Sequence, residues 1–169
     1  MSPITASKKK SQENSSGVSV DKLLSQSDFL RRYSITPQAF RDTGIKWRDL
    51  ESIFNDYIES RHKLDHPATA VVNIFLSKEA KDQGVHSVRY RVKDPNSLVE
   101  KIIRKKIENP KTKTITVTNY KSEITDLIGI RILHTFKYDW YGIHNFITNM
   151  FYLKNNSKPI VYHREGDEK

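Results

Sequence analysis

Between Tyr90 and Arg131 the chain gathers cations first and a carboxylate afterwards. Arg89, Arg91 and Lys93 alternate with Val88, Tyr90 and Val92. Lys101, Arg104 and Lys105 follow at spacings of three and four. Asp126 then stands at the mouth of an apolar run, Leu127-Ile128-Gly129-Ile130-Arg131-Ile132-Leu133. Guanidinium groups stack on planar rings and fork onto phosphates, whereas lysines act as point charges. Magnesium is held by one or two carboxylates together with oxygens of a phosphate substrate. Cations in this order, followed by a single acid, supply what a polyphosphate and its Mg2+ ion need.

The elements that must position these groups can be read from pattern. His86 to Lys93 alternates and is rich in β-formers, so it reads as a strand with Arg89, Arg91 and Lys93 on one face. Three cations in a row are not buried without anionic partners. Asp94-Pro95-Asn96-Ser97 opens a helix, with Asp94 as N-cap and Pro95 in the first turn. That helix runs to about Glu108, where Asn109-Pro110 stops it, and Leu98, Ile102 and Ile103 form its apolar side. Lys111 to Glu123 reads as a long basic loop or weak hairpin arm (Thr114 to Val117), mobile enough to close over a ligand. Asp126 to His134 reads as a strand buried on both faces. Gly129 within it points to close approach of a backbone or a ligand. Asp126 and Arg131 are five apart, so either Asp126 precedes the regular strand or the strand bulges near Gly129.

The remaining segments read as scaffold. Met1 to Gly17 is a polar, lysine-bearing tail. Helical signals begin at Ser19-Val20-Asp21, with Leu23, Leu24, Phe29 and Leu30 as an apolar face. Thr36-Pro37 caps a short turn through Phe40. Trp47 to Arg61 carries one apolar stripe and reads as core packing. His62 and His66 share a helical face, but Pro67 follows and no third ligand lies nearby, so solvated surface outweighs a metal site. Ala68 to Leu76 reads as a helix continuing through Ser77-Lys78-Glu79-Ala80-Lys81 to Gly84. Tyr138 to Leu153 is a second amphipathic helix, and Lys158 to Tyr162 a last short strand. The expected fold is α+β: a small mixed sheet (Val85 to Lys93, Leu127 to His134, Pro159 to Tyr162) flanked by helices.

Composition bounds the rest. The 169 residues suit one domain with a modest core; 36% are apolar and 29% charged. The net charge of +9 calls for an anionic partner: nucleotide, nucleic acid or acidic protein. From His86 to Lys121 ten lysines and arginines stand against three acids, a local +7. The absence of cysteine excludes disulfides, thiol nucleophiles and cysteine-based zinc sites. No apolar run reaches a membrane span and the N-terminus lacks a signal-peptide core, which gives the expectation of a cytoplasmic protein.

Arg91-x-Lys93-x-x-x-Ser97-x-x-x-Lys101, then Asp126-x-x-Gly129-x-Arg131, then Asp139-x-Tyr141, together resemble the RelA/SpoT nucleotidyltransferase domain of alarmone synthetases. The likeness covers roughly His86 to Tyr162. It implies transfer of pyrophosphate from ATP to the 3′-hydroxyl of GDP or GTP. It implies that Arg91 and Arg131 sandwich adenine, that Lys93, Lys101 and Arg104 hold the phosphates, that Ser97 assists at the helix start, and that Asp126 ligates Mg2+. The family's Gly-Tyr-x-Ser-x-His-Tyr segment, whose tyrosine stacks on the acceptor guanine, and its Glu-x-Gln-x-Arg strand have no counterpart here. The expected organisation is therefore a tail (1–17), an N-terminal helical layer (18–84) and the N-terminal part of the catalytic domain (85–169). Such a chain carries the ATP-donor half and is inactive alone. The alternative is a relative that grips RNA or modifies tRNA with the same basic face, using Tyr90 and Tyr120 as stacking platforms. A homo-oligomer is compatible with either.

Overall fold

The computed structural model describes residues 22–152 and Ile160. Eight α-helices, one 3-10 turn and two strands occur in this part: α1 (Gln26–Arg32), α2 (Pro37–Asp42), α3 (Trp47–Arg61), the turn His62–Leu64, α4 (Asp65–Phe75), α5 (Lys78–Asp82), β1 (Ser87–Val92), α6 (Pro95–Glu108), α7 (Tyr120–Glu123), β2 (Ile128–Leu133) and α8 (Asp139–Met150). The class is α+β, with a two-stranded antiparallel sheet among the described residues. The tail over 1–17 and, apart from Ile160, the strand expected over Lys158 to Tyr162 lie outside the described residues.

Capping chemistry fixes several of these boundaries. Thr36, Ser77 and Asp94 each accept a hydrogen bond from the amide three residues on, which satisfies an otherwise orphaned helix donor. Two caps correct the sequence reading. Leu23 and Leu24 precede the first described helix, which starts at Gln26, because Ser25 is its cap and accepts from the Asp28 amide; Ser19 to Asp21 lie outside the described residues. The helix expected to run from Ala68 through Lys81 is two helices, because Ser77 caps a new one and Leu76 ends the old.

Two apolar clusters hold the elements together. In the first, α1, α2 and α3 pack against α6, with Phe29, Leu50, Ile53, Leu98, Val99 and Ile103 buried. The second lies under the sheet: Phe75 of α4, Ala80 of α5 and Ile143 of α8 meet Val88, Ile130 and Ile132. Gly84 joins α5 to this layer with φ +96°, and a Cβ there would come 2.5 Å from the Asp139 Cβ. Only glycine allows both the backbone angle and the approach.

Two further expectations fail. The strand over 126–134 is not buried on both faces: one face of β2 packs on the second cluster, and the exposed Arg131 and Leu133 lie on the other. An antiparallel pair commonly has one wet face, so the Ile/Leu content of this strand did not require burial on both. The segment Lys111 to Glu123 is a loop as far as Asn119, with no hairpin arm, but it is tethered rather than free. Its end forms α7, Tyr120 and Ile124 are buried in the first cluster, and the Lys106 ammonium donates to the carbonyls of Pro110 and Thr112 at 2.7 Å each.

Candidate nucleotide-binding site

The antiparallel register decides which side chains share a face. Arg89 stands opposite Arg131, Arg91 opposite Gly129, and Val92 opposite Ile128. Directly paired residues point to the same side, so Arg89, Arg91 and Arg131 project from one face while Val88, Ile130 and Ile132 project from the other. The apolar face is covered by helices and the cationic face is exposed. The three guanidinium groups have no hydrogen bond or ion pair with the described residues. Gly129 is the reason Arg91 can lie across onto β2. A Cβ at 129 would sit 3.4 Å from both Cγ and Nε of Arg91. The close approach that Gly129 signalled is thus made by a side chain. Arg91 and Arg131 are diagonal neighbours, roughly 7–8 Å apart at the backbone, which leaves room for a planar ring between their groups.

The ladder continues one step beyond the strands. The Lys93 amide donates to the Leu127 carbonyl at 2.9 Å, and this sets Asp126 beside Lys93. Asp126 precedes the regular strand, which resolves the face problem without a bulge. The Asp94 cap then turns the chain into α6, whose Lys101 faces the same carboxylate. Lys93 Nζ and Lys101 Nζ stand 3.0 and 2.7 Å from Asp126 Oδ2. Burial pushes the Asp126 carboxyl up, but hydrogen bonds from Lys101 and Lys93 and their charges outweigh it and hold the group below the usual carboxylate range. The other oxygen, Oδ1, is sealed from solvent and has no hydrogen-bond partner among the described residues.

That orphaned oxygen is the test for a metal. A buried acceptor left unpaired costs about 1–3 kcal/mol, so a ligand at Oδ1 would be stabilising. One carboxylate is too few to hold a divalent ion alone, and no cluster of three His, Asp or Glu side chains occurs among the described residues. The donor set fits Mg2+ that arrives with a phosphate ligand and takes only one protein oxygen.

The other expected site residues are placed less directly. The Ser97 amide is already used by Asp94 Oδ1 at 2.8 Å, so only the Ser97 hydroxyl is available to a phosphate. Arg104 lies along α6 between Glu100 and Glu108, at 3.1 and 3.4 Å. Both are half-exposed pairs worth a few tenths of a kcal/mol at most, which a phosphate can displace. Lys105, grouped with Lys101 in the sequence, instead donates to the Glu123 carbonyl at 3.0 Å. A groove of about 860 Å³ lies elsewhere, against Leu23, Trp47 and Phe54. It carries Lys22 against Asp28 and Glu51, so it lacks the positive excess of the sheet face.

The sequence reading missed the support behind Lys93. Tyr57 on α3 donates to the Lys93 carbonyl at 2.8 Å, and its ring meets Tyr120 edge-on at 6.2 Å. Tyr120 donates to Asp56 at 2.6 Å, and Lys121 completes the group at 3.0 Å. Nothing local marks these residues, because the contact joins positions 36 and 64 residues apart.

Residues 90–165 match a family model described as the region found in RelA / SpoT proteins, which supports a RelA/SpoT-type synthetase domain over that stretch. No curated protein and no solved structure matches the chain. No described helix is long and apolar enough to cross a membrane.

Proposed function

We propose, from the RelA/SpoT-type segment at residues 90–165 and the exposed cationic face within it, that this chain binds ATP as the pyrophosphate donor of an alarmone-synthetase reaction on a nucleotidyltransferase-type fold. The observation that carries the reading is the junction at Asp126. Two lysines meet one oxygen of the carboxylate while its other oxygen has no partner among the described residues.

In the ligand-free protein Asp126 holds Lys93 and Lys101 in place. An incoming triphosphate exchanges with the carboxylate for these lysines, and Asp126, once released, is the residue that would hold Mg2+. Each of these charged groups faces an opposite charge before and after, so the exchange leaves none of them unpaired. Adenine lies between Arg91, over Gly129, and Arg131. Lys93 and Lys101 neutralise and orient the phosphates, with Arg104 and the Ser97 hydroxyl at the outer edge. When bound, Mg2+ supplies further neutralisation of the phosphate oxygens.

The reaction is displacement at the β-phosphorus. The 3′-oxygen of GDP or GTP forms the new P–O bond, the bond from the β-phosphorus to the bridging oxygen breaks, AMP leaves with that oxygen, and the 3′-hydroxyl proton passes to solvent or a base. The described residues contribute positioning and charge neutralisation to this step.

The test is a thermal-shift titration with a non-hydrolysable ATP analogue, with and without Mg2+, on the chain and on Asp126→Ala. Ligands that bind the folded state raise its melting temperature by mass action. The expected result is a Mg2+-dependent rise that Asp126→Ala abolishes, while Mg2+-free binding is kept or strengthened because the lysines are freed. A rise that is Mg2+-independent in both chains would overturn the role of Asp126. RNA binding that Asp126→Ala leaves intact or improves, with no nucleotide effect, would favour the RNA-binding alternative.

A further inference from the structure

The register places two arginines directly across the sheet from each other, and one of them, Arg89, has no role in the nucleotide reading above. Like charges in a direct cross-strand pair are destabilising. Arg89 and Arg131 have no carboxylate partner among the described residues, and both are exposed. Arg91, on the same face, is likewise unmatched but faces Gly129 rather than a second cation, whereas Lys93 and Lys101 have Asp126, Arg104 has Glu100 and Glu108, and Lys105 has Glu123. A pair of unmatched guanidinium forks, side by side on a rigid strand pair, suits a tetrahedral oxyanion that accepts from both.

We propose that Arg89 and Arg131 form a second anion site that takes a phosphate group, separate from the Lys93–Lys101 site. Arg89 is four residues from Lys93 along the strand, roughly 13 Å away. At the backbone that span exceeds the spacing of adjacent phosphates, and Arg91 stands between on the same face, so the Arg89–Arg131 pair is set apart and takes a different phosphate-bearing group from the one held at Lys93. A guanidinium stacks with its face and donates from its edge, so Arg131 can border a base and hold this anion at once. The inference rests on the nucleotide reading only for the choice of phosphate as ligand.

The experiment uses the full chain and inorganic pyrophosphate at constant ionic strength without Mg2+. Arginine Nε–Hε resonances report the site locally, and calorimetry gives the affinity. The variants are Arg89→Gln, Arg89→Lys and, as a charge control off the sheet face, Arg48→Gln. Pyrophosphate is expected to shift the Arg89 and Arg131 signals in the parent chain. Arg89→Gln should weaken that response about tenfold, the scale of a charge-assisted hydrogen bond, and Arg48→Gln should not. Arg89→Lys, which keeps the charge but loses the fork, should fall between. Because the cross-strand repulsion is removed, ligand-free Arg89→Gln should melt no lower than the parent. Equal affinities for the parent, Arg89→Gln and Arg89→Lys would overturn the proposal, and so would pyrophosphate shifts confined to Lys93 and Lys101. Parallel titration with the ATP analogue and Mg2+ separates the two readings. Asp126-dependent nucleotide binding together with pyrophosphate binding that ignores Arg89 sinks this inference alone, whereas Arg89-dependent pyrophosphate binding without any nucleotide response sinks the donor reading alone.

Discussion

The Tyr57 hydroxyl donates to the main-chain carbonyl of Lys93 across 2.8 Å, so a residue of the N-terminal helices holds the backbone of the candidate phosphate-binding lysine. Lys93 is thereby fixed from two sides, since its amide is bonded to Leu127. Tyr57→Phe keeps the buried ring and removes only this bond. The stranded carbonyl should lower stability by about 1–3 kcal/mol. In urea the midpoint should fall with no change in slope. Affinity for the ATP analogue with Mg2+ should drop several-fold, because Lys93 loses one of its two main-chain anchors. A stability loss with unchanged affinity would show that the Lys93 side chain is placed without help from α3.

The same tyrosine predicts how the fold responds to alkali. Burial pushes the Tyr57 phenol up to about 12, against an opposing effect of Arg61 and with smaller additions from Tyr120, Asp94 and Asp126. Tyr120 is raised as well, first by burial and then by its bond to Asp56. A phenol whose folded value is raised contributes stability that is whole below its unfolded value near 10 and is lost as the pH climbs through the folded value. Urea unfolding should therefore weaken from about pH 10 to pH 12. The decline should be shallower in Tyr57→Phe, and equal slopes in the two proteins would rule Tyr57 out as its source.

Acid acts through Asp126 with the opposite sign. Its folded value is depressed: burial raises it, but Lys101 and Lys93 more than compensate. The stability it contributes is present above the unfolded carboxylate value near 3.9 and disappears as the pH falls through the lower folded value. Asp126→Asn should melt below the parent at neutral pH, since two lysines lose their counter-charge. The gap should close in strong acid. Asp56, also held down by its bonds from Tyr120 and Lys121, stays in the variant, so some acid dependence should persist. A gap that is constant with pH would mean that Asp126 acts through shape rather than charge.

What could be read from the sequence was whatever short-range chemistry controls. The Thr36 and Asp94 caps, the Trp47–Arg61 stripe and the alternation through β1 each act within a few residues, and each stands where its pattern puts it. Ser25 and Ser77 were passed over although they use the same capping chemistry, because apolar residues on both sides hid the breaks. The meeting of Lys93, Lys101 and Asp126 was implied by resemblance, but its cause, the Lys93–Leu127 ladder bond, depends on a register that no local pattern fixes. Arg89 was seen to share a face with Arg91 and Lys93. Its pairing with Arg131 needed the partner strand. Tyr120, read as part of a free loop, is the clearest loss: a basic, threonine-rich context concealed a fully buried ring.

Gly129 offers a way to change the site without changing the core. Its missing side chain lets Arg91 lie across β2, and a Cβ there would only just touch Arg91 Cγ and Nε, at 3.4 Å each. Alanine is thus expected to fit with little adjustment. Valine adds two methyl groups in the space that Arg91 fills and must turn it aside. The neighbours of Gly129 on this face are exposed cations rather than packed core, and β-branched residues favour strands, so the melting temperature of Gly129→Val should hold or rise. Nucleotide stabilisation should fall at least tenfold in affinity for Gly129→Val and far less for Gly129→Ala. Free pyrophosphate has no ring to stack, so its binding to Lys93 and Lys101 should be spared in both variants. Loss of pyrophosphate and nucleotide binding together would mean that valine disturbs the strand pair itself. Loss of the nucleotide response alone identifies the Arg91–Arg131 slot as the place where the base is held.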